Sequence, residues 1–404
     1  MSSPGHAPYD SRSSAPFASP LARPTALLPP PAGPAQPAIP RDGLPRVRRT
    51  GAASIWIFAL LAILLVVLVA YFLAAIGPGS SFVGMLLALV PLTAVFLALR
   101  AIDRWEPEPR SLIVLALGWG AIAAVVIALA VDLLLVLAFG RGDSVLAEVL
   151  SAVVQAPVVE EIGKGLGVLL ILLVGRRAFD GPVDGIVYGG LIGAGFAFTE
   201  NIQYFAIALI EGGAGQAGAV FFLRGILSPF AHVMFTAVTG FAVGLAVRRG
   251  ARGGSIFGAW LVGLIGAALL HGLWNGSATL GDFFGLYAAL QVPLFILFVL
   301  GMLALRREEA RLTRERLGEY AATGWFTPEE VQMLATRPGR RAALAWAGRL
   351  PGDRRPQMQA FIREATALAA ARQRLVSGRD PKAGEEERAS LARATAARQR
   401  LFAG

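Results

Sequence analysis

Glu160, Glu161, Glu200, His232 and His271 all stand inside long apolar runs of this 404-residue chain. An ionisable side chain inside a bilayer costs roughly 2.5 to 3.5 kcal/mol on insertion scales, so it persists where it pairs, lines a water-filled cavity or binds something. One of these runs carries Pro157-Val158-Val159-Glu160-Glu161-Ile162-Gly163-Lys164. Glu160 and Lys164 are one helical turn apart and share a face, whereas Glu161 is rotated by about 100°. A buried ion pair would account for Glu160 and Lys164 and leave Glu161 over. Lys164 and Lys382 are the only lysines of a chain that otherwise takes arginine. An ammonium is a compact point charge able to lose its proton, which a guanidinium is not.

The next run carries Phe196-Ala197-Phe198-Thr199-Glu200-Asn201, followed by Gln203 and Tyr204. Glu200 and Tyr204 share a face with Asn201 beside it, an arrangement that an interhelical polar clamp would also produce. Two further runs supply His232 with Thr236 a turn later, and His271 with Asn275 a turn later. A single histidine in a helix bundle is ordinarily a packing residue. Two, each at the depth of a carboxylate, suggest a site. Two imidazoles and a carboxylate are a ligand set that zinc accepts, with a position left for water. Coordination brings that water towards ionisation at neutral pH, and Glu160 or Glu161 could then act as general base. Cysteine is absent, which restricts any metal site to nitrogen and oxygen donors. No H-E-x-x-H occurs, which excludes a soluble zincin.

The elements that must position these residues follow from composition. The chain is 55% hydrophobic and 16% charged, which places it among polytopic membrane proteins. A spanning helix needs about 20 mainly apolar residues. On that criterion the expected fold is all-α, a polytopic bundle of about eight spans at 53–76, 82–99, 111–139, 145–174, 183–210, 217–247, 255–278 and 284–305. With a rise of about 1.5 Å per residue, Glu160 and His232 fall near the bilayer centre, and Glu200 and His271 roughly 6 to 8 Å towards the outer face. That spacing allows one cluster.

Arg46, Arg48 and Arg49 precede the first span, and Arg100, Arg104, Arg110, Arg176, Arg177, Arg248, Arg249, Arg252, Arg306 and Arg307 border every second connection or follow the last span. The alternate connections hold only Arg141, so both termini are expected on the cytoplasmic side of a multi-pass cell-membrane protein. The net charge of +10 invites a nucleic-acid reading, but many of the basic residues stand in these juxtamembrane positions, where topology and anionic lipid explain them, and no nucleic-acid reader motif accompanies them.

Three regions are expected. Residues 1–50, holding 12 of the 25 prolines and His6, read as a disordered cytoplasmic tail without a cleavable signal peptide, so the first span should be an uncleaved anchor. Residues 51–305 form the transmembrane region, and residues 306–404 a charged, helical cytoplasmic tail. The run Asp103-Arg104-Trp105-Glu106-Pro107-Glu108-Pro109-Arg110 reads as a stiff, solvated connection. Arg224 most simply snorkels to the interface. Asp132, alone in its span, reads as polar glue or as the wall of a water path.

The ordered motifs resemble the PrsW family of membrane-embedded proteases, itself similar to the CAAX-protease and bacteriocin-processing family. They are the E-P-E-P turn at 106–109, Glu160-Glu161-x-x-Lys164, Phe196-x-x-x-Glu200-Asn201, His232, and His271-x-x-x-Asn275. The stretch from Phe179 to Gly189 is also similar, and the likeness covers roughly residues 50–300. The resemblance implies a zinc-dependent or other divalent-metal intramembrane peptidase acting on a membrane-associated protein, classically an anti-sigma factor. By position, Glu160 and Glu161 would be the catalytic carboxylates, with Lys164 beside them. Glu200, His232 and His271 would hold the metal, and Asn201 and Asn275 would orient ligands or stabilise an oxyanion. Two other readings of the same residues are a proton-coupled transporter or channel, though no inverted repeat is visible, and a non-catalytic membrane scaffold.

Overall fold

Long runs of Leu, Ile, Val and Ala leave the backbone no partner but itself in apolar surroundings, and helices satisfy it within one segment. The computed structural model describes residues 52–103, 108–140, 142, 144–176, 178–279, 281–378 and 383–402, and every regular element among them is helical. The first are α1 (Ala52–Ala75), α2 (Pro78–Ile102), α3 (Arg110–Gly118) and α4 (Val125–Phe139), the last two joined by a π-helical turn at Trp119–Ala124. Next come α5 (Val145–Leu150), a π-turn at Ser151–Gln155, α6 (Ala156–Val174) and α7 (Pro182–Phe221). A π-turn at Phe222–Leu227 leads towards α8 (Ala231–Arg248), followed by α9 (Gly254–Thr279) and α10 (Phe283–Leu286). A last π-turn, Tyr287–Gln291, runs into α11 (Val292–Ala322), and α12 (Pro328–Leu334), α13 (Arg337–Ala347), α14 (Arg355–Val376) and α15 (Ala383–Phe402) complete the chain.

Six stretches among the described residues are long and apolar enough to cross a membrane, not the expected eight. The expected span 145–174 is helical, but Glu160, Glu161 and Lys164 make it too charged to qualify. The expected spans 183–210 and 217–247 fall in one 67-residue stretch, Pro182–Arg248. That stretch is not a straight rod. Gly212 and Gly213 leave helical geometry, Gly213 at φ 66°, a left-handed conformation that costs glycine nothing. Ser228, Pro229 and Phe230 then break the helix, so His232 stands in the first turn of α8 rather than in the middle of a continuous span.

The chain divides into two compact units, with the boundary between residues 308 and 309. In the membrane unit α7 is the central post. Val187, Tyr188, Leu191 and Ile192 on it are buried against Leu99, Leu115, Ile171 and Val233. Its small residues let backbones touch. A Cβ on Gly185 would lie 2.0 Å from Gly240 O, and one on Gly193 would lie 2.3 Å from His232 O. Close approach of this kind replaces the hydrophobic drive that helices lack in lipid. Apolar side chains on α1, among them Ile55, Trp56, Ile63 and Val66, are exposed, as expected of a surface solvated by lipid.

The other unit packs Leu317, Tyr320, Phe326, Leu334, Phe361, Leu368 and Leu391 into its own core. Its helices carry local start signals: Thr327 and Glu330 form a reciprocal capping box before α12, and Thr336 caps α13. Tyr320 donates to the buried Glu387, which Arg372 also approaches at 3.5 Å.

Residues 104–107, with Glu106, lie outside the described residues. Glu108 does not sit in a solvated connection. It is buried, and its Oε2 accepts a 2.5 Å hydrogen bond from the Tyr188 hydroxyl of α7. Its backbone N–H donates to Asp103 Oδ1 at 3.1 Å. Burial pushes the Asp103 carboxyl up to about 6, with the Glu108 amide and Arg100 pulling the other way.

Candidate functional site

The expected residues arrive on four helices: Glu160, Glu161 and Lys164 on α6, Glu200 and Asn201 on α7, His232 and Thr236 on α8, and His271 and Asn275 on α9. Two indoles fix the height of α6, Trp119 Nε1 donating to Gly163 O at 2.9 Å and Trp260 Nε1 to Gly165 O at 2.8 Å.

Lys164 is the hub. Its Nζ, fully buried, lies 2.8 Å from Glu161 Oε1, 3.1 Å from Glu160 Oε2 and 3.0 Å from His232 Nδ1. An ammonium has three donors, and here each has an acceptor. The Phe196 ring covers the same nitrogen at 3.8 Å from its centroid, a cation–π contact in a dry setting.

The two adjacent glutamates are placed differently. Glu161 has no exposure, and its carboxylate is used up inside the protein: Oε1 meets Lys164 and, at 3.2 Å, His271 Nδ1, while Oε2 accepts from the Thr236 hydroxyl at 3.0 Å. Glu160 is turned towards two cavities and lines both. His271 donates from Nδ1 to Glu161, which leaves Nε2 as the free lone pair, 3.9 Å from Glu160 Oε2. A carboxylate behind the far nitrogen is how proteins aim a ligating imidazole. Phe235 stacks on the His271 ring at 4.8 Å, holding its plane.

His232 is held from both sides. Lys164 donates to Nδ1, so the proton sits on Nε2, which lies 2.9 Å from Glu200 Oε2. The ligand atoms of Glu160, His232 and His271 all lie within 4.8 Å of one another, a spacing that could hold a metal ion. The donor set, two imidazoles and a carboxylate, fits a borderline divalent metal. An ion taking His232 Nε2 would replace the hydrogen bond to Glu200 and require the other tautomer of the ring.

Glu200, expected among the metal ligands, reaches His232 Nε2 but is not one of the three clustered ligand groups. It forms an ion pair with Arg224, whose Nε also donates to Asn201 Oδ1 at 2.7 Å. Arg224 does not snorkel to the interface. The π-turn at Phe222–Leu227 brings it inward, over the Tyr204 ring at 4.0 Å from the centroid. Tyr204, on the Glu200 face, is thus a platform for the guanidinium. Asn275 donates from Nδ2 to Ala152 O at 2.8 Å, meeting a carbonyl in the π-turn at Ser151–Gln155. Such turns free backbone groups from the regular ladder and recur at functional sites.

The two cavities have volumes of about 370 and 290 Å³. Ala156, Glu160, Glu200 and Tyr204 belong to both. The larger opens towards α4, where Gln155 Nε2 reaches Asp132 Oδ1 at 3.4 Å. The smaller is lined by Asn201, Arg224, His232, His271 and Asn275. Sequence reading missed Arg224 and Gln155 as site residues. The available signal was their polarity within apolar runs, the same signal that exposed the glutamates.

Fold and site together define a helical polytopic membrane protein with a buried carboxylate, imidazole and ammonium cluster at the meeting of two cavities. Residues 108–301 match the family model of the PrsW family intramembrane metalloprotease, and the resemblance to that family holds. The chain is 32% identical over 158 residues to Protease PrsW of Clostridioides difficile (strain 630), covering 39% of this chain and 63% of that protein. It is 35% identical over 109 residues to Protease PrsW of Bacillus subtilis (strain 168), covering 27% and 45%. It is 31% identical over 134 residues to Protease PrsW of Oceanobacillus iheyensis, covering 33% and 55%. The chain therefore spans less than two thirds of the length of these relatives. No solved structure matches.

Proposed function

We propose that this protein is a membrane-embedded, metal-dependent peptidase that hydrolyses a peptide bond in a membrane-associated protein. The observation that carries the reading is the convergence of Glu160, His232 and His271 within 4.8 Å, all three lining the smaller cavity and Glu160 the larger as well. These three residues would hold a divalent ion, zinc being the one that best suits two imidazoles and a carboxylate. When bound, such an ion supplies Lewis-acid polarisation of a carbonyl and a nucleophile at neutral pH.

The remaining residues take the proton and positioning work. Glu161 accepts a hydrogen bond from His271 Nδ1–H and so keeps Nε2 turned to Glu160. Lys164 holds Glu160 and Glu161 in register. With Glu160 assigned to the ion, Glu200 is the carboxylate lining both cavities that can take the proton of an attacking water and return it to the leaving amine. This exchanges the roles that the sequence suggested for Glu160 and Glu200. Asn275 already donates to Ala152, so the oxyanion falls to the amide of Asn201, whose oxygen Arg224 fixes.

An anti-sigma factor as substrate rests on family resemblance alone, and a cytoplasmic position for both termini rests on the arginine pattern of the sequence. The reading is tested by metal analysis of the wild type beside His232→Ala and His271→Ala, with cleavage of a single-span reporter in liposomes. About one equivalent of zinc in the wild type, lost with cleavage in both variants, is the expected result. Equal metal content in all three would refute the ligand assignment.

A further inference from the structure

The larger cavity contains more than the chemistry needs. From Glu160 it runs away from the histidines, between α4, the π-turn at Ser151–Gln155 and α7. Its walls include Val125, Ala128, Leu129, Val159, Phe196 and Ile207, and its volume of about 370 Å³ exceeds what a bound water or a proton path requires. Asp132 and Gln155 stand in it facing one another across 3.4 Å. Asp132 is exposed, in the apolar helix α4, with Gln155 as its polar partner.

Resting on the peptidase reading, we infer that this cavity is the substrate side-chain subsite: it takes a bulky aliphatic or aromatic residue of a transmembrane segment beside the scissile bond, while Asp132 and Gln155 bind that residue's backbone. Two observations converge on this occupant. The cavity shares Ala156, Glu160, Glu200 and Tyr204 with the smaller one that holds the histidines, so a side chain within it brings the adjoining peptide bond beside Glu160. A spanning helix must also unwind to be cut, which strips amides and carbonyls of partners at several kcal/mol each in an apolar medium. A carboxylate and a side-chain amide placed together offer one acceptor set and one donor to that freed backbone. A purely apolar lipid tail would have no use for them.

The test uses the full-length protein in liposomes with a mixture of synthetic single-span peptides that differ at one central position, Gly, Ala, Leu or Phe. Cleaved bonds are read by mass spectrometry. Wild type is expected to cut next to Leu or Phe at least about tenfold faster than next to Gly, as apolar pockets discriminate. Ala128→Phe fills the cavity and should lower the Phe-to-Gly ratio by about tenfold or more. Leu129→Ala enlarges it and should raise that ratio, which keeps the test decisive if the first variant does not fold. Wild-type cleavage indifferent to side-chain size would overturn the subsite while leaving the peptidase reading intact. A uniform loss across all peptides in Ala128→Phe, with wild-type preference unchanged in Leu129→Ala, would also overturn it. No cleavage of any peptide by zinc-loaded wild type would overturn both.

Discussion

Lys164 Nζ and Glu161 Oε1 are joined over 2.8 Å with neither side chain exposed to any solvent. Both charges would be costly alone, and each is supported by further partners: Thr236 and His271 on the glutamate, Glu160 and His232 on the lysine. The pair is the structural floor of the site, beneath the residues that face the cavities.

Removing one member therefore strands the other. Lys164→Met should destabilise the protein by about 3–5 kcal/mol, the usual consequence of an unpaired buried charge. Thermal unfolding in detergent micelles measures this, and adding Glu161→Gln to Lys164→Met should recover part of the loss. A double variant no more stable than the single one would show that the charge on Glu161 is not the source of the cost.

Glu160 and Glu200 should separate in their effects. Glu160→Ala is expected to lose both bound metal and cleavage. Glu200→Gln should keep the metal and slow cleavage by roughly 10²- to 10⁴-fold, the range for a lost general base. Metal loss in Glu200→Gln with metal retained in Glu160→Ala would reverse the two roles.

The close passage of α7 past the start of α8 should be a sensitive point for activity. A Cβ at Gly193 would meet His232 O at 2.3 Å, so Gly193→Ala must push the first turn of α8 away from the site. Overpacking of this kind costs about 1–3 kcal/mol, and cleavage should fall further than the unfolding temperature alone explains. Gly218→Ala, where nothing lies within 4 Å, should leave both unchanged.

Asp103 should give folding a pH dependence away from the site. Its carboxyl binds the proton more tightly folded, at about 6, than at the ordinary 3.8. Its favourable contribution is thus complete below about 4, declines as pH rises through about 6, and is absent above that. The wild type should lose more thermal stability between pH 5 and pH 7.5 than Asp103→Asn does. Identical shifts in the two proteins would place the titration elsewhere.

The sequence by itself determined the helical membrane class, because runs of apolar residues admit little else, and it marked out Glu160, Glu161, Lys164, Glu200, His232 and His271, because charge in such runs is conspicuous. It did not determine how many separate spans there are, since the 67-residue stretch and the charged α6 defeat counting by hydropathy. Nor did it settle partners. Helical periodicity gives the relative rotation of neighbours on one helix but not the rotation of one helix against another. The π-turns at Ser151–Gln155 and Phe222–Leu227 and the break at Pro229 also change that rotation locally. Only the tertiary structure therefore decided that Glu161 turns to the lysine and Glu160 to the cavities, that Arg224 points inward to claim Glu200, and that Asp132 meets Gln155. Each of these depends on packing contacts between segments far apart in the chain.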